Sequence, residues 1–341
     1  MKTLILAEPG RFERADTTEP DAPAAGHATL RIHRVGICGT DLHAFRGRQP
    51  FFEYPRILGH ELGAEIVALG DGVDDLCVGD HVAVEPYMEC GTCQACRAGT
   101  YNCCQSLQVL GVHTDGGMRE FIDVPARKLF RSNTLDLEQL ALVETLGIGA
   151  HAVERAQLGS GETVLVVGAG PIGLATAQFA ALAGTRVHMI ELDGGRRDFA
   201  LGHFDIAGAR APGDDAETTL ADLREHLDGD LPTCVFDCTG SRASMETSLS
   251  FPASAGRLVF VGFQLETISF ANPEFHRREL SLLASRNSTS AQFRRILALM
   301  ECGDVDTTPW ITHRTDFEAV VEEFPSWLEP QTGVVKAMLS F

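Results

Sequence analysis

Long apolar runs are missing from this sequence. No stretch approaches the roughly 18 apolar residues that cross a bilayer, and the opening MKTLILAEPGRFER holds too short an apolar run for a secretory leader. Neither a membrane span nor secretion is expected, and the expected location is the cytoplasm. Basic residues are scarce: 28 Lys and Arg stand against 47 Asp and Glu, a formal net charge of −19. Such a surface repels phosphate backbones, and no Lys/Arg-rich run offsets it locally, so nucleic acid is not an expected partner. Internal repeats and low-complexity tracts are also absent.

The remaining bulk properties are ordinary. The 341 residues are 44% apolar and 22% charged, the balance of a globular protein, and too many for one common core. Two domains are expected. The first part, to about residue 145, has short β-type runs such as ATLRIHRVGI and GAEIVALG separated by Gly, Pro and Asp. From residue 163 the texture changes to strand–helix alternation: TVLVVG, GPIGLATAQFAALAG, RVHMIE, TCVFDCTG and GRLVFVGF. That alternation implies a doubly wound parallel sheet. ELSLLAS reads as its last strand, AQFRRILALMECG as an amphipathic helix ending at Gly303, and GVVKAMLSF as a strand outside the alternation. This last strand is expected to return to the first domain, making that domain discontinuous.

Gly168-Ala169-Gly170-Pro171-Ile172-Gly173 follows a strand and opens a helix. In that context it is the dinucleotide fingerprint: the glycines permit a tight turn, close approach of a pyrophosphate and helix–strand packing. The helix N-terminus adds free N–H groups and partial positive charge. The second strand ends at Glu191, where a carboxylate accepts ribose hydroxyls and repels a 2′-phosphate. Asp193 competes for that role, and Arg196 and Arg197 are a feature that can hold the extra phosphate. NAD is expected over NADP.

Of the ten cysteines, Cys90, Cys93, Cys96 and Cys104 fall within fifteen residues. In a cytosolic chain such a cluster reads as a metal site. Two-residue gaps turn successive thiolates onto one ion, and four of them make the closed tetrahedral set of a structural zinc. Cys103 could replace Cys104, and an iron–sulfur cluster is the rival, though no partner centre is apparent. The other ligand types are scattered. Cys38 lies in GICGTDLH, His60 and Glu61 in GHELGAE, and Glu144 in VETLGIGAHAV. Periodicity does not bring them together, and each has an ordinary structural explanation when taken alone.

These segments, with GDHVAVEP (79–86), the cysteine lobe, the glycine fingerprint and FDCTG (236–240), occur in one order over the full length. The chain thereby resembles the zinc-containing medium-chain dehydrogenases, and most of all their sorbitol and threonine dehydrogenase branch. The resemblance implies a GroES-like irregular β-rich catalytic domain over 1–148 and 286–341, with the zinc lobe at 86–106, and a Rossmann domain over 149–285. It implies two zincs per chain. Cys38, His60 and Glu144 would bind the catalytic one, with Glu61 either a fourth ligand or exchanging with water. Asp41 would orient the His60 ring, Thr40 would hydrogen-bond the substrate oxygen, and His43 would end a proton relay through the cofactor ribose. Arg196, Thr239 and the Val261-Gly262-Phe263 segment would join Gly168, Gly170, Pro171, Ile172, Gly173 and Glu191 around the cofactor. Two departures are Ala64, where the family commonly has glycine, and Thr145, where it commonly has proline.

The implied reaction is hydride transfer between the hydroxyl carbon of a small-molecule alcohol, polyol or sugar acid and NAD. GVHTDGGMRE (111–120) and SRNST (285–289) are similar to bacterial sugar-acid members, such as those acting on L-galactonate. Arg46, Gln49, Phe51, Phe52, Tyr54 and His113 are candidates for the substrate pocket. The alternatives are a threonine or simple-alcohol dehydrogenase of the same family and a non-catalytic NAD-binding protein. A homodimer or homotetramer is implied as well.

Overall fold

A computed structural model describes residues 1–50 and 52–341. The chain divides into two compact units, Met1–Thr145 with Ser288–Phe341, and Leu146–Asn287.

The first unit is built on a seven-stranded sheet. In space the strands run Ile311–Asp316, Lys336–Ser340, His27–Ile37, Glu61–Leu69, His81–Val84 and Leu129–Arg131, and Phe121–Pro125 pairs beside His27–Ile37. The alternation of the sequence sets the inward face: Leu30, Ile32, Leu62, Ala64, Ile66, Val82 and Val84 are almost fully buried in one core. Each large side chain so buried contributes roughly 1.5–3 kcal/mol. The final strand, Lys336–Ser340, pairs antiparallel with His27–Ile37, setting Met338 against Gly36, and Gly36 in turn faces Glu61 on the next strand. Three segments far apart in sequence therefore meet at Gly36.

A short helix, Gly39–Phe45, leaves the end of that central strand. Phe45 anchors it, its ring 5.4 Å from Phe12 and 5.1 Å from Phe324, with the tilted ring of Trp327 beyond at 5.3 Å from Phe324. This aromatic cluster ties the helix to the N-terminal hairpin of Lys2–Glu8 and Arg11–Asp16 and to the C-terminal segment, so the residues it carries are rigidly placed.

The second unit is a six-stranded parallel sheet in the order Gly208–Arg210, Arg186–Ile190, Thr163–Val167, Cys234–Asp237, Arg257–Phe260 and Ser281–Ala284. The order reverses beside Thr163–Val167, which is the topological switch point where doubly wound sheets bind ligands. The glycine fingerprint follows directly from that strand. Gly168 has φ 97°, and a Cβ at Gly173 would lie 1.8 Å from the Gly168 carbonyl oxygen, so no other residue fits there. Among the described residues no helix is long and apolar enough to cross a membrane.

Candidate metal and cofactor sites

Cys38 caps the N-terminus of helix Gly39–Phe45 in extended backbone. Its N–H donates to Asp41 Oδ2 at 2.9 Å, which fixes the turn and buries Asp41 completely. The other Asp41 oxygen, Oδ1, stands 4.0 Å from His60 Nδ1. Neither buried atom has a hydrogen-bond partner among the described residues. The structure thus places Asp41 beside the imidazole that the resemblance assigns to it. Thr40 is half-buried and His43 exposed, three residues apart on one helix face.

Cys38, His60 and Glu61 each offer one donor atom, and the three atoms lie within 4.8 Å of one another. Burial opposes charge on His60, but Cys38, Asp41 and Glu144 raise its pKa well above the ordinary value. Burial also raises the Asp41 pKa. The pocket draws positive charge to the imidazole position, and its donor set of thiol, imidazole and carboxylate is one that zinc accepts. The residues therefore fit the metal.

Glu61 is not a free carboxylate. Lys336 Nζ donates to Oε1 at 2.6 Å and Oε2 at 2.8 Å, and Thr145 Oγ1 donates to Oε1 at 2.7 Å. Burial pushes the Glu61 pKa up, but Lys336 and His60 outweigh it and the net direction is down. Gly36 makes the room: a Cβ there would lie 2.1 Å from Glu61 Oε2. Glu144, also buried, is not one of the three clustered residues; its Oε1 accepts a hydrogen bond from the Tyr87 phenol. Burial raises the Glu144 pKa, and burial together with Glu144 holds the Tyr87 phenol well above its ordinary range.

Lys336 and Tyr87 are the residues that reasoning from the sequence missed. One signal was available for Lys336. The chain has only three lysines, Lys2, Lys128 and Lys336, and Lys336 is the one charge in the otherwise apolar run GVVKAMLSF. In the structure Lys128 and Lys336 are each 2% exposed. No comparable signal marks Tyr87.

Several substrate-pocket candidates are committed elsewhere. Arg46 donates to the Leu328 carbonyl at 2.6 Å, Tyr54 to the Ala44 carbonyl at 2.5 Å, and His113 Nδ1 accepts from the Val109 N–H at 3.1 Å. Phe52 packs on Tyr54 with ring centroids 4.9 Å apart, and Gln49 is half-buried. Phe51 lies outside the described residues.

The structure gathers Cys90, Cys93, Cys96 and Cys104 within 4.8 Å, while Cys103 stays exposed outside the group. Cys93 caps the short helix Gln94–Arg97, which carries Cys96 inward. The Sγ atoms of Cys93 and Cys96, and of Cys104 and Cys90, are 3.5 Å apart. That is well beyond a disulfide bond of about 2.05 Å. Backbone N–H groups point at the sulfurs: Cys90 N to Cys104 Sγ at 3.3 Å, Cys93 N to Cys90 Sγ at 3.4 Å and Ser106 N to Cys104 Sγ at 3.4 Å. Hydrogen bonds from Thr92 and Cys93 lower the Cys90 pKa to about 6, whereas burial raises Cys96 to about 12. Four converging sulfurs with N–H donors on two of them fit a closed four-thiolate site.

In the second unit Gly170 caps the helix Pro171–Leu182, with Pro171 in its first turn. Beside Gly170 the nearest atom to a would-be Cβ is Arg196 Nη1 at 3.9 Å, so the cradle is open apart from one guanidinium. Glu191 Oε2 accepts from the Ala169 N–H at 2.7 Å and Oε1 from the Asp193 N–H at 2.9 Å. The carboxylate is thereby clamped to the fingerprint loop. Asp193 is instead consumed as a helix cap, accepting from Arg196 N at 2.8 Å. Arg197 folds back onto the Glu191 and Leu192 carbonyls at 2.7 and 2.8 Å. Buried Asp237 organises the far side: its Oδ1 accepts from the Thr239 N–H at 3.0 Å and hydroxyl at 2.7 Å, and its carbonyl accepts from Val261 N at 2.9 Å and Gly262 N at 3.0 Å. Phe263, which follows, is largely exposed. The open glycine cradle at a helix N-terminus and the clamped carboxylate fit a dinucleotide.

Comparison with known proteins shows the family to which the chain belongs. The alcohol dehydrogenase GroES-like domain family matches residues 24–134, and the zinc-binding dehydrogenase family matches residues 171–301. L-galactonate-5-dehydrogenase of Escherichia coli K12 is 37% identical over 341 residues, covering 100% of this chain and 99% of that protein. The 2-dehydro-3-deoxy-L-galactonate 5-dehydrogenase of Pseudoalteromonas atlantica is 33% identical over 294 residues, 85% of each chain. Among solved structures, a short chain alcohol dehydrogenase of Escherichia coli CFT073 complexed with NADH superposes with a TM-score of 0.92 at 30% identity, covering 100% of this chain and 99% of that one. With both halves matched in order and the whole length shared, the chain belongs to the zinc-binding dehydrogenases of the medium-chain alcohol dehydrogenase family and is an oxidoreductase.

Proposed function

We propose that this enzyme oxidises a secondary hydroxyl of a sugar acid or related polyol to the ketone, with NAD accepting the hydride and a proton leaving to solvent. The observation that carries the reading is the convergence of Cys38, His60 and Glu61 within 4.8 Å in a buried pocket that draws positive charge. Cys38, His60 and Glu144 would hold the catalytic zinc, with Glu61 as reserve ligand, and Cys90, Cys93, Cys96 and Cys104 the structural one. When bound, the catalytic zinc supplies Lewis-acid polarisation of the substrate oxygen.

The chain's own residues do the rest. Asp41 fixes the His60 ring from behind. Thr40 hydrogen-bonds the substrate hydroxyl and, as it receives that proton, releases its own toward exposed His43, on the same helix face, which passes it to solvent. Glu191 holds the ribose, Gly168, Gly170, Pro171, Ile172 and Gly173 receive the pyrophosphate with Arg196 beside them, and Thr239 with Val261, Gly262 and Phe263 borders the nicotinamide. Clamped Glu191 favours NAD over NADP, because a 2′-phosphate would meet a carboxylate. The two relatives that act on galactonate-type sugar acids support that substrate class. A homodimer or homotetramer belongs to the same reading, since the parallel sheet ends on Ser281–Ala284, an edge strand with exposed Leu282.

The test is NADH formation on a panel of aldonates, polyols, threonine and simple alcohols, with zinc counted by metal analysis. The expected result is turnover on an aldonate or polyol and two zincs per chain. Turnover on threonine or ethanol alone would overturn the substrate class, and a single zinc without turnover would overturn the site.

A further inference from the structure

Besides Asp41, two more buried carboxylates, Glu61 and Glu144, act on the Cys38–His60 pair, and they are held in different ways. Glu61 has both oxygens on Lys336, and its charge is matched. Glu144 has one oxygen on the neutral Tyr87 phenol and no ion-pair partner among the described residues. We propose that Tyr87 is a positioning residue for Glu144: the phenol fixes one carboxylate oxygen and leaves the other as the single donor for a cation held with Cys38 and His60. The proposal rests on the reading of Glu144 as a zinc ligand.

A phenol that stays protonated can only donate toward a carboxylate, so the contact sets orientation without adding charge. Hydrogen bonds of this kind to a ligating side chain fix its geometry and its basicity. Tyr87 is itself held in place before any cation arrives. It is paired with Val109 on a neighbouring strand. The residues flanking it, Glu85 and Glu89, both reach Lys128 Nζ, at 2.5 and 2.7 Å, and that lysine is 2% exposed. Glu85 is further bound by Ser290 Oγ at 2.6 Å. A buried ion cluster thus brackets the tyrosine on both sides. This gives the Glu85–Lys128–Glu89 cluster a purpose: it holds the strand that presents the phenol.

The experiment measures zinc affinity of the full chain by chelator competition, and the visible spectrum after cobalt substitution, for Tyr87→Phe, Glu144→Gln and the double variant. The thiolate charge-transfer bands of the four-cysteine site report folding in each. Tyr87→Phe is expected to weaken the catalytic zinc by roughly tenfold or more, to shift the cobalt d–d bands and to leave the cysteine site loaded. In the Glu144→Gln background it is expected to change nothing further. An unchanged affinity in Tyr87→Phe, while Glu144→Gln weakens the metal, would overturn the proposal alone. An equal loss from Tyr87→Phe with and without Glu144 would overturn it too, since the tyrosine would then act through packing. If Glu144→Gln itself leaves the affinity unchanged, the ligand reading of Glu144 falls and the proposal with it.

Discussion

The four-cysteine lobe and the Cys38–His60 pocket both gather their donor atoms within 4.8 Å, and they do it by opposite means. In the lobe all four ligands come from fifteen residues of chain, and the partners that steady the sulfurs are backbone N–H groups of the same loop. In the pocket the partners of the two glutamates come from a distance: Glu61 is held by Lys336, 275 residues away, and by Thr145, 84 residues away, while Glu144 is held by Tyr87, 57 residues away. A loop can assemble the first site on its own. The second exists only when the sheet of the first unit is complete, with its C-terminal strand in place. The lobe is therefore a local structure that stabilises, and the pocket a product of the global fold that can be tuned from far away.

The sharpest way to break this contrast is to remove the distant cation. Lys336→Met leaves Glu61 buried beside Thr145 without its counter-charge. Breaking one side of such a pair costs about 3–5 kcal/mol, which chemical denaturation of the variant would register. Glu61→Gln combined with Lys336→Met removes both charges and is expected to recover most of that loss. A double variant no more stable than the single would show that Lys336 acts through something other than the pair.

A crossed comparison comes next in size. Glu144→Ala is expected to lower kcat by about a hundredfold, close to 3 kcal/mol of barrier, with the melting transition of the wild type retained. Cys93→Ser is expected to lower the melting temperature and the zinc count first, with the folded fraction keeping most of its turnover. The reverse pattern would mean that the two sites have exchanged roles.

The same contrast explains what could be read before the structure. The parallel sheet and its fingerprint are legible because their signals are local: a buried strand, a glycine turn and an amphipathic helix follow one another within thirty residues. The thiol lobe is legible for the same reason. Periodicity and spacing cannot join Cys38 to His60 or Glu144, and only the ordered run of family motifs suggested it. Tyr87 and Lys336 escaped even that, because their importance lies in a register: Met338 against Gly36 and Gly36 against Glu61 bring residue 336 to the carboxylate. The competition between Glu191 and Asp193 was likewise open in the sequence. The structure shows Asp193 spent on a helix cap, a role visible only once the helix start is known.

The smallest expected effect is a control in the second unit, where a charge is held by distant partners without any chemistry attached. Glu162 accepts from Arg257 at 2.8 Å, from the Thr233 hydroxyl at 2.5 Å and from the Gly159 N–H at 2.5 Å. Burial pushes its carboxyl up, but these donors outweigh it and bring the pKa down to about 2 from an ordinary 4.5. A carboxyl depressed in the folded state stabilises the protein above its unfolded pKa, and that contribution is lost as pH falls. It is therefore complete above about pH 4.5 and drains away between there and about pH 2; the full shift corresponds to about 3 kcal/mol, and solvent screening of the partly exposed ion pair reduces it to something on the order of 2 kcal/mol. Glu162→Gln should lose this stability at pH 7 and converge on the wild type as the pH approaches 2, with zinc content unchanged throughout. A stability gap that persists undiminished at pH 2 would mean that the side chain contributes by packing, and a change in zinc content would mean that distant charge partners in this protein cannot be sorted into those that hold the fold and those that serve the metal.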